Sequence, residues 1–230
     1  MRKTAFALVI TLLSCTAFSQ TSEDVEIYAS GGVSIPFSSN DCSKYYVVDK
    51  AITAVTLPSF KYSGTWTPGF HFGFGLGYVV TPDLTAILDL NYNSSVLDKS
   101  AFLKDIGLTG NEYMEDVTLK MVSINANVKY LFALPDQFFD PYVTIGAGYM
   151  GIAADDISVV ATANSVIGAQ FKAQDALNTS VGVGVDIRST ERSSLFIELR
   201  YDVSYTRSAS PFSSDNFSIL PVRVGIRGTF

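Results

Sequence analysis

The sequence of 230 residues has very little of the chemistry on which most enzyme and metal sites depend. It contains one histidine, two cysteines and only 17% charged residues. A zinc site made of cysteine and histidine has almost no material here, and any catalytic imidazole has to be His71. The formal net charge of −6 argues against a nucleic acid partner, because phosphate binding needs a basic surface. We therefore predict no metal and no nucleic acid partner.

The sequence also lacks a long hydrophobic run. No later stretch offers the roughly eighteen consecutive apolar residues that a transmembrane helix needs, so none is predicted. The chain is nevertheless 47% hydrophobic and 13% aromatic, and it contains 17 glycines. This composition excludes intrinsic disorder, a coiled coil and collagen. Two classes remain, a soluble β protein and a membrane β-barrel.

Residues 1–19 have the features of a secretory signal peptide. Two basic residues open the segment, a short apolar run follows over 5–13, and Ala17-Phe18-Ser19 fits the small-x-small cleavage pattern. We therefore predict cleavage after Ser19, which leaves residues 20–230 as a single domain. An alternative is a lipoprotein box that ends at Cys15, in which case this cysteine is acylated instead.

From Val25 onward the hydropathy pattern repeats every two residues, which indicates β-strands rather than helices. Eight segments alternate in this way, and each has about nine to twelve residues, the length of a tilted strand that crosses a bilayer. The fold class predicted is all-β, an eight-stranded antiparallel up-and-down transmembrane β-barrel. The predicted strands are 25–35, 70–78, 84–93, 121–132, 142–150, 180–188, 195–205 and 220–230.

The connections between these segments alternate between long and short. This alternation is typical of a membrane barrel with short periplasmic turns and long extracellular loops. The predicted long loops are 36–69, 94–120 and 151–179, and they are the places where an extracellular partner of unknown identity would bind. Within them, we expect short helices at 97–108 and 163–176.

The two faces of the predicted strands differ in character. One face is apolar and carries no charge, whereas the other is rich in glycine, serine and asparagine and carries the charges. A soluble ligand-binding barrel keeps its apolar face inside, but a membrane barrel turns that face to lipid. We therefore predict a lumen plugged by polar and charged side chains, without a wide pore. The predicted lumen network consists of Glu26, Asp89, Lys129, Asp186, Arg188, Glu198, Arg200, Asp202, Arg223 and Arg227.

Charges on the last two strands are expected to pair with each other. Glu198 and Asp202 should lie among Arg223 and Arg227, and Glu26 is placed to reach Arg227 across the closing seam.

The fourth strand breaks the alternation at its start. Val117, Leu119 and Met121 are out of phase with the residues from Val122 onward. We expect either a bulge near Met121 or a strand that rises above the membrane.

The last eight residues, RVGIRGTF, resemble the C-terminal assembly signal of bacterial outer-membrane proteins. That signal has a polar residue, a glycine, an aromatic residue and a terminal aromatic residue at fixed positions. Gly228 departs from the pattern where an aromatic or apolar residue is usual. The positions that match are Arg223, Gly225 and Phe230.

Segment 141–149 resembles a strand common in the small bacterial outer-membrane β-barrel family, which includes OmpX-like and OmpA-barrel-like proteins. Together with the strand pattern and the end signal, the resemblance covers the chain from about Val25 to Phe230. It implies location in outer-membrane lipid, with periplasmic chaperones and the outer-membrane assembly machinery as partners during biogenesis. A fold resemblance of this kind specifies function poorly, and we expect a structural or surface-interaction role.

Two other functions stay open at this point. An outer-membrane enzyme would have to use His71, but no serine or acid shares its strand on the lumen face, so no catalytic residue is predicted. A soluble periplasmic barrel that binds a small ligand is the second alternative. Gly146 to Gly151 match G-x-G-x-x-G, yet the expected βαβ context is missing, so no cofactor is predicted.

Overall fold

The strands of this protein follow the period-two pattern of its sequence. The computed structural model describes residues 25–36, 46–48, 66–105, 113–132, 138–162, 165–171, 173–190, 192–206 and 216–230. The predicted signal peptide, its cleavage site and Cys15 lie outside the described residues. In chain order the elements are β1 (Val25–Pro36), β2 (Tyr46–Val48), β3 (Gly69–Thr81), β4 (Leu84–Val96), α1 (Lys99–Asp105), β5 (Tyr113–Met114), β6 (Thr118–Leu131), β7 (Phe139–Ala154), β8 (Ile157–Thr162), β9 (Ser165–Phe171), β10 (Gln174–Arg188), β11 (Ser193–Thr206) and β12 (Asn216–Thr229).

Eight of these strands close into an antiparallel barrel. Around the barrel the order is β1, β12, β11, β10, β7, β6, β4 and β3. Each of these eight strands therefore pairs with the barrel strand that precedes it and the one that follows it in the sequence. The last strand pairs with the first over eleven consecutive positions, from Glu26 with Thr229 to Pro36 with Ile219. The predicted eight-stranded up-and-down barrel is therefore confirmed. We call the end with the short connections the turn end and the opposite end the loop end.

The remaining strands lie in the long connections of the loop end. They form a four-stranded sheet in the order β2, β9, β8, β5. The helix predicted within 97–108 is present as α1, but the helix predicted over 163–176 is wrong, because β9 and the start of β10 occupy that segment. Among the described residues no helix is long and apolar enough to cross a bilayer.

The outer face of the barrel is apolar over most of its height. Side chains such as Leu90, Val183 and Ile197 are half exposed, and they belong to the strand face that is free of charge. Aromatic rows border this band at both ends. At the loop end Phe70 packs on Tyr92, with 5.5 Å between ring centroids. At the turn end Tyr130 packs on Phe132, with 5.0 Å between ring centroids. Such rows are typical of the two membrane interfaces.

Several strands are longer than a bilayer requires and continue past the aromatic row at the loop end. β7 has 16 residues, compared with about 9–11 for a strand that crosses a bilayer. Beyond the row the outward face becomes charged: Lys120 Nζ donates to Asp155 Oδ1 at 2.9 Å. This hydrogen bond lowers the pKa of the Asp155 carboxyl below its ordinary value. The expectation that the fourth barrel strand rises above the membrane agrees with this extension.

The alternative expectation, a bulge near Met121, is wrong. β6 keeps one register with β4 from Tyr130 to Thr118, and one register with β7 from Leu131 to Leu119. Leu119 and Met121 therefore share the lumen face with the polar residues that follow them, and both are fully buried. What changes along this strand is the character of the lumen, not the pairing of the backbone.

Candidate functional site

An ion pair crosses the centre of the lumen between strands on opposite sides of the barrel. Arg200 on β11 donates from Nη1 to Asp89 Oδ2 on β4 at 2.7 Å, and these two strands are four places apart in the ring of eight. Arg200 also donates to Asp202 at 3.0 Å, to Asn127 at 2.8 Å and to Ser180 at 2.9 Å. Its side chain is 2% exposed. The guanidinium therefore links four side chains across the full width of the lumen.

Asp89 is the acceptor around which this part of the network is organised. Besides the guanidinium, it accepts hydrogen bonds from Tyr28 Oη at 3.0 Å, Asn91 Nδ2 at 2.7 Å and Asn127 Nδ2 at 2.9 Å. A buried carboxylate is tolerated when its lone pairs are satisfied in this way.

Two further ion clusters lie toward the turn end. Glu198 accepts two hydrogen bonds from Arg223, at 2.7 and 3.1 Å, and one from the Tyr142 hydroxyl at 2.9 Å. Lys129 Nζ lies 3.0 Å from Glu26 and 3.5 Å from Asp186. Arg227 completes the second cluster with hydrogen bonds to Asp186 and a 3.4 Å contact with Glu26.

Aromatic rings separate these charges and fill the space between them. Tyr28, Tyr142 and Phe196 are at most 2% exposed, and the Arg227 guanidinium lies 4.8 Å from the Phe196 ring centroid. A Cβ at Gly75 would overlap the Tyr28 ring, and a Cβ at Gly184 would overlap the Tyr142 ring. Glycine is required at both positions because the aromatic rings occupy the place of a side chain.

The structure brings nine of the ten predicted network residues into the lumen, and the exception is Arg188. Its side chain is 54% exposed at the turn-end rim, where it makes a two-bond pair with Asp140 at 2.6 and 2.8 Å. Arg188 therefore does not belong to the lumen network, because β10 ends there and the side chain reaches past the barrel. The nine lumen residues comprise five carboxylates and four cations, which leaves one carboxylate in excess: Glu26, Asp89, Asp186, Glu198 and Asp202 with Lys129, Arg200, Arg223 and Arg227.

The pairing expected between the last two strands holds for some residues and fails for others. Glu198 does bind Arg223, and Glu26 does contact Arg227 across the seam. Asp202 instead pairs with Arg200 on its own strand, two residues away. Within the described ranges no group of three or more histidine, cysteine, aspartate and glutamate side chains is placed to share a metal ion.

Above the charges, the lumen is lined by uncharged polar groups that include His71. The His71 Nδ1 atom lies 2.9 Å from Asn93 Oδ1, and the side chain is 3% exposed. Asn178 Nδ2 donates to Asn125 Oδ1 at 2.9 Å. Ser204 Oγ donates to Asn178 Oδ1 at 3.0 Å. The bond between Asn178 on β10 and Asn125 on β6 joins strands that are not neighbours, whereas the other two contacts join neighbouring strands.

The loop end of the lumen is filled by apolar side chains, which we call the apolar plug. Lumen-facing residues of β6, β7, β10 and β12 meet there, and α1 inserts Phe102 and Leu103 among them. In the sequence, the plug is indicated only by the out-of-phase apolar run at the start of β6. The same run is equally compatible with a local irregularity of the strand. The plug consists of Trp66, Leu97, Phe102, Leu103, Met114, Val117, Leu119, Met121, Met150, Ile152, Ala176, Phe217 and Ile219.

Helix α1, which contributes Phe102 and Leu103 to the plug, is capped at its N-terminus. Asp98 Oδ1 accepts hydrogen bonds from the Ala101 backbone N–H at 3.1 Å and from Ser100 Oγ at 2.8 Å. The backbone bond, followed by the hydroxyl bond, lowers the pKa of the Asp98 carboxyl. Aspartate at this position satisfies an amide that a short helix leaves without an internal partner.

The residues that match the C-terminal assembly signal lie on the strand that closes the barrel. Phe230 N donates to Val25 O at 2.9 Å, so the terminal residue is tied to the start of β1. Arg223 points into the lumen. A Cβ at Gly225 would lie only 2.5 Å from the Phe196 ring atom Cε1. Recognition of these residues by the assembly machinery stays a prediction.

A family model described as "Outer membrane protein beta-barrel domain" matches residues 5–227. The chain belongs to this family. No curated protein matches the sequence. Among solved structures, Neisserial surface protein A is similar over 90% of this chain and 97% of that one, at 16% identity and a TM-score of 0.53. A major outer membrane protein from Thermus thermophilus covers 91% and 100% of the two chains, at 14% identity and a TM-score of 0.49. At 16% identity the likeness to Neisserial surface protein A concerns the fold alone.

Membership of this outer-membrane barrel family explains the arrangement of the two faces. The apolar exterior faces lipid and the charges lie inside, as in a membrane barrel and opposite to a soluble ligand-binding barrel. An enzyme of this family that used His71 would need its substrate at a side chain that lies inside the lumen next to the apolar plug.

Proposed function

We propose that this protein is an integral outer-membrane barrel with a closed lumen and a structural or surface-interaction role, and that it is not an enzyme. The observation that carries the proposal is the ion pair between Arg200 and Asp89, which joins opposite sides of the barrel at 2.7 Å. The apolar plug supports it independently, because water and ions have no polar path between its side chains. Two barriers of different chemistry therefore lie in series along the lumen.

The loop end is the surface that we propose for contact with an extracellular partner. Here the strands continue past the aromatic row, and the sheet of β2, β9, β8 and β5 adds backbone outside the barrel. Tyr113 on β5 is 67% exposed and contributes an aromatic side chain to this surface. The three long connections at 36–69, 94–120 and 151–179 supply this surface.

The route to the membrane follows from the same proposal. The signal peptide at 1–19 is removed after Ser19, chaperones hold the chain in the periplasm, and the assembly machinery inserts it into outer-membrane lipid. The C-terminal residues Arg223, Gly225 and Phe230 act as the assembly signal. Both chain ends of the barrel and its short connections then face the periplasm, and the loop end faces outward.

We expect no step currents when the refolded protein is added to planar lipid bilayers. The lumen is crossed by Arg200 and closed by the apolar plug, so no water-filled path is available to ions. The measurement is single-channel recording in concentrated salt, with a general porin in the same bilayers as the reference. Sustained steps from protein whose gel band shifts on heating would contradict the closed lumen.

We expect a cysteine at the loop end, and not one at the turn end, to be labelled on intact cells. Tyr113→Cys and Phe138→Cys are matched, because the native side chains are 67% and 69% exposed at opposite ends of the barrel. Each is made in a Cys42→Ser background and treated with a maleimide that does not cross membranes. Labelling of Phe138→Cys alone would mean the opposite orientation, and the loop end would then have no access to an extracellular partner.

A further inference from the structure

A groove of about 480 Å³ lies on the outer face of the barrel, beside the seam where the last strand pairs with the first. We call it the seam groove. Its floor is formed by Ala29 on β1 and Gly228 on β12, and its walls include Ile27, Ile226 and Phe230. Its volume falls within the roughly 300–1,000 Å³ of pockets that hold small molecules. The groove lies near the turn end, so it is remote from the apolar plug.

The register of the two strands explains why the surface is hollow here. Ala29 pairs with Ile226. Gly228 pairs with Ile27. The two small residues are therefore diagonal neighbours on one face, and the isoleucines lie on either side of the line that joins them. Ile226 and Phe230 are 63% and 66% exposed, so these walls project well beyond the floor.

Gly228 is the position at which the sequence departs from the C-terminal assembly signal, where an aromatic or apolar residue is usual. A Cβ at this position would lie 3.2 Å from Cε2 of the Phe230 ring, and that ring borders the groove. A large side chain at position 228 would therefore occupy the floor of the groove. The departure from the signal opens a space on the outer face.

The two ends of the seam groove differ in polarity. Phe74, which pairs with Ala29, borders the end that lies deeper in the apolar band. The opposite end, at the turn end of the barrel, is lined by Ser189, Ser193 and Ser194. Arg192 lies in the same turn and is exposed. Hydroxyl groups and a guanidinium donate hydrogen bonds to phosphate and ester oxygens. This gradient fits a molecule with an apolar chain and an oxygen-rich head.

The length of the groove matches one leaflet of a bilayer. Val25, next to Phe230, and Ala29 are four residues apart on β1, which is about 13 Å along the strand. A strand tilt of about 40° turns this into about 10 Å of depth. One leaflet contributes about 15 Å to the hydrocarbon core. The groove therefore extends from the interface through much of the leaflet at the turn end.

The projecting walls decide between a lipid chain and a second barrel as the occupant. The outer surface of a second barrel is convex, so it would rest on Ile226 and Phe230 and leave the floor uncovered. A single acyl chain can enter between the walls and contact Ala29 and Gly228. Close contact along the whole floor gains dispersion energy that contact with the walls alone does not.

We propose that the seam groove retains one phospholipid of the leaflet at the turn end. One acyl chain lies along Gly228 and Ala29 toward Phe74, and the phosphate lies at the turn that contains Ser193. This site goes beyond the proposed surface role, from which it is separated by the height of the barrel, and it does not depend on that role.

Native mass spectrometry tests the proposal directly. The protein is refolded in detergent, and palmitoyl-oleoyl-phosphatidylglycerol is added in increasing amounts. We expect one lipid to bind each barrel saturably before others add. In Gly228→Leu this lipid should bind about three- to tenfold more weakly, the effect of losing a few van der Waals contacts. The variant should fold, because its new side chain presses only on the exposed Phe230 ring. The gel shift on heating checks this.

Gly151→Leu is the matched control. Gly151 lies on β7, four strands away from β1 around the barrel, and the nearest atom to a Cβ there is 4.0 Å away. The same leucine is thus added to the outer face but outside the groove. We expect the affinity for the first lipid to be unchanged.

Two further probes locate the chain and the head of the lipid in the unaltered protein. A phosphatidylglycerol with a diazirine in one acyl chain, at one lipid per barrel, should crosslink to 27–29 and 226–230. Dioleoylglycerol, which has no phosphate, should bind about three- to tenfold more weakly than dioleoyl-phosphatidylglycerol, as expected for the loss of one exposed hydrogen bond to a charged group.

Four outcomes would overturn the proposal. Lipids that add without a preferred first one, or crosslinks spread over the whole outer face, would mean that the groove is not a site. Equal weakening in Gly151→Leu would mean that added bulk anywhere has the same effect. Equal affinity for the lipid without phosphate would mean that the polar end recognises no head group. A complex of two barrels without lipid would mean that a second copy covers the seam.

Discussion

Replacing Arg200 with methionine should lower the free energy of unfolding by about 3–5 kcal/mol, the usual cost of removing one partner from a buried ion pair. Asp89 and Asp202 would stay buried, and the cation that lies 2.7 and 3.0 Å from them would be gone. Methionine retains much of the packing volume of arginine, so the loss of stability measures the effect of removing the positive charge. The measurement is urea unfolding in phosphatidylcholine vesicles, followed by the gel shift on heating and by circular dichroism.

Lys99→Met is the matched control for this prediction. Lys99 also pairs with one carboxylate, that of Asp116, at 2.9 Å. The two side chains are 38% and 79% exposed, so water screens the pair, and we expect a change of only about 0–1 kcal/mol. Equal effects of the two substitutions would mean that the lumen is hydrated and that Arg200 is not sealed inside it.

A second variant keeps this test informative if Arg200→Met does not fold. Adding Asp89→Asn and Asp202→Asn removes both carboxylates that the substitution leaves without a cation. We expect the triple variant to recover part of the lost stability, because asparagine in the lumen costs far less than an unpaired charge. Failure of any recovery would show that shape, rather than charge, is what Arg200 contributes.

Which residues face the lumen could be predicted from the sequence, but their partners could not. Alternation with period two places Asp202 on the lumen face, and a side chain on the wrong face would meet lipid. The choice of Arg200 over Arg223 as its partner depends on side-chain reach within a narrow lumen. Arg188 was misplaced for a related reason: the pattern gives a direction but not the height at which a strand ends.

The apolar plug shows where the two-face rule stops being sufficient. Leu119 and Met121 follow the lumen phase, yet the rule associates apolar residues with lipid, so their sequence pattern suggested an irregular strand. Above the membrane the barrel extension has water outside and needs an apolar core inside, which reverses the usual assignment. The insertion of α1 into this core depends on contacts with strands far away in the sequence, and no local pattern records it.

The incorrect helix at 163–176 has a simpler cause. This segment is rich in alanine and glutamine, which favour helices when the sequence is considered locally. In the structure Ser165–Phe171 pairs with Ile157–Thr162 as a hairpin, and Gln174 already belongs to the barrel. Tertiary pairing has overridden a weak local preference.

Val183→Arg should cost about 2–4 kcal/mol of unfolding free energy, as expected for an arginine near the bilayer midplane. Val183 lies in the middle of β10, between Val143 and Leu199, and its side chain is 54% exposed on the apolar outer face. In lipid the guanidinium has no water or counter-charge at this depth. The same urea titration in vesicles measures the effect, and valine to alanine at this site controls for lost packing.

Leu177→Arg, on the same strand and the same face, introduces the same side chain at a different depth in the bilayer. It therefore separates the effect of depth from that of the arginine itself. Leu177 pairs with Tyr149 on one side and Tyr205 on the other, so it lies in the aromatic row at the loop end. An arginine there reaches the membrane interface, and we expect a cost of only about 0–1 kcal/mol. The difference between the two sites is the quantity that depends on lipid. If both arginines are tolerated equally, the outer face is in water, and the membrane assignment of this face fails even though the barrel is correct.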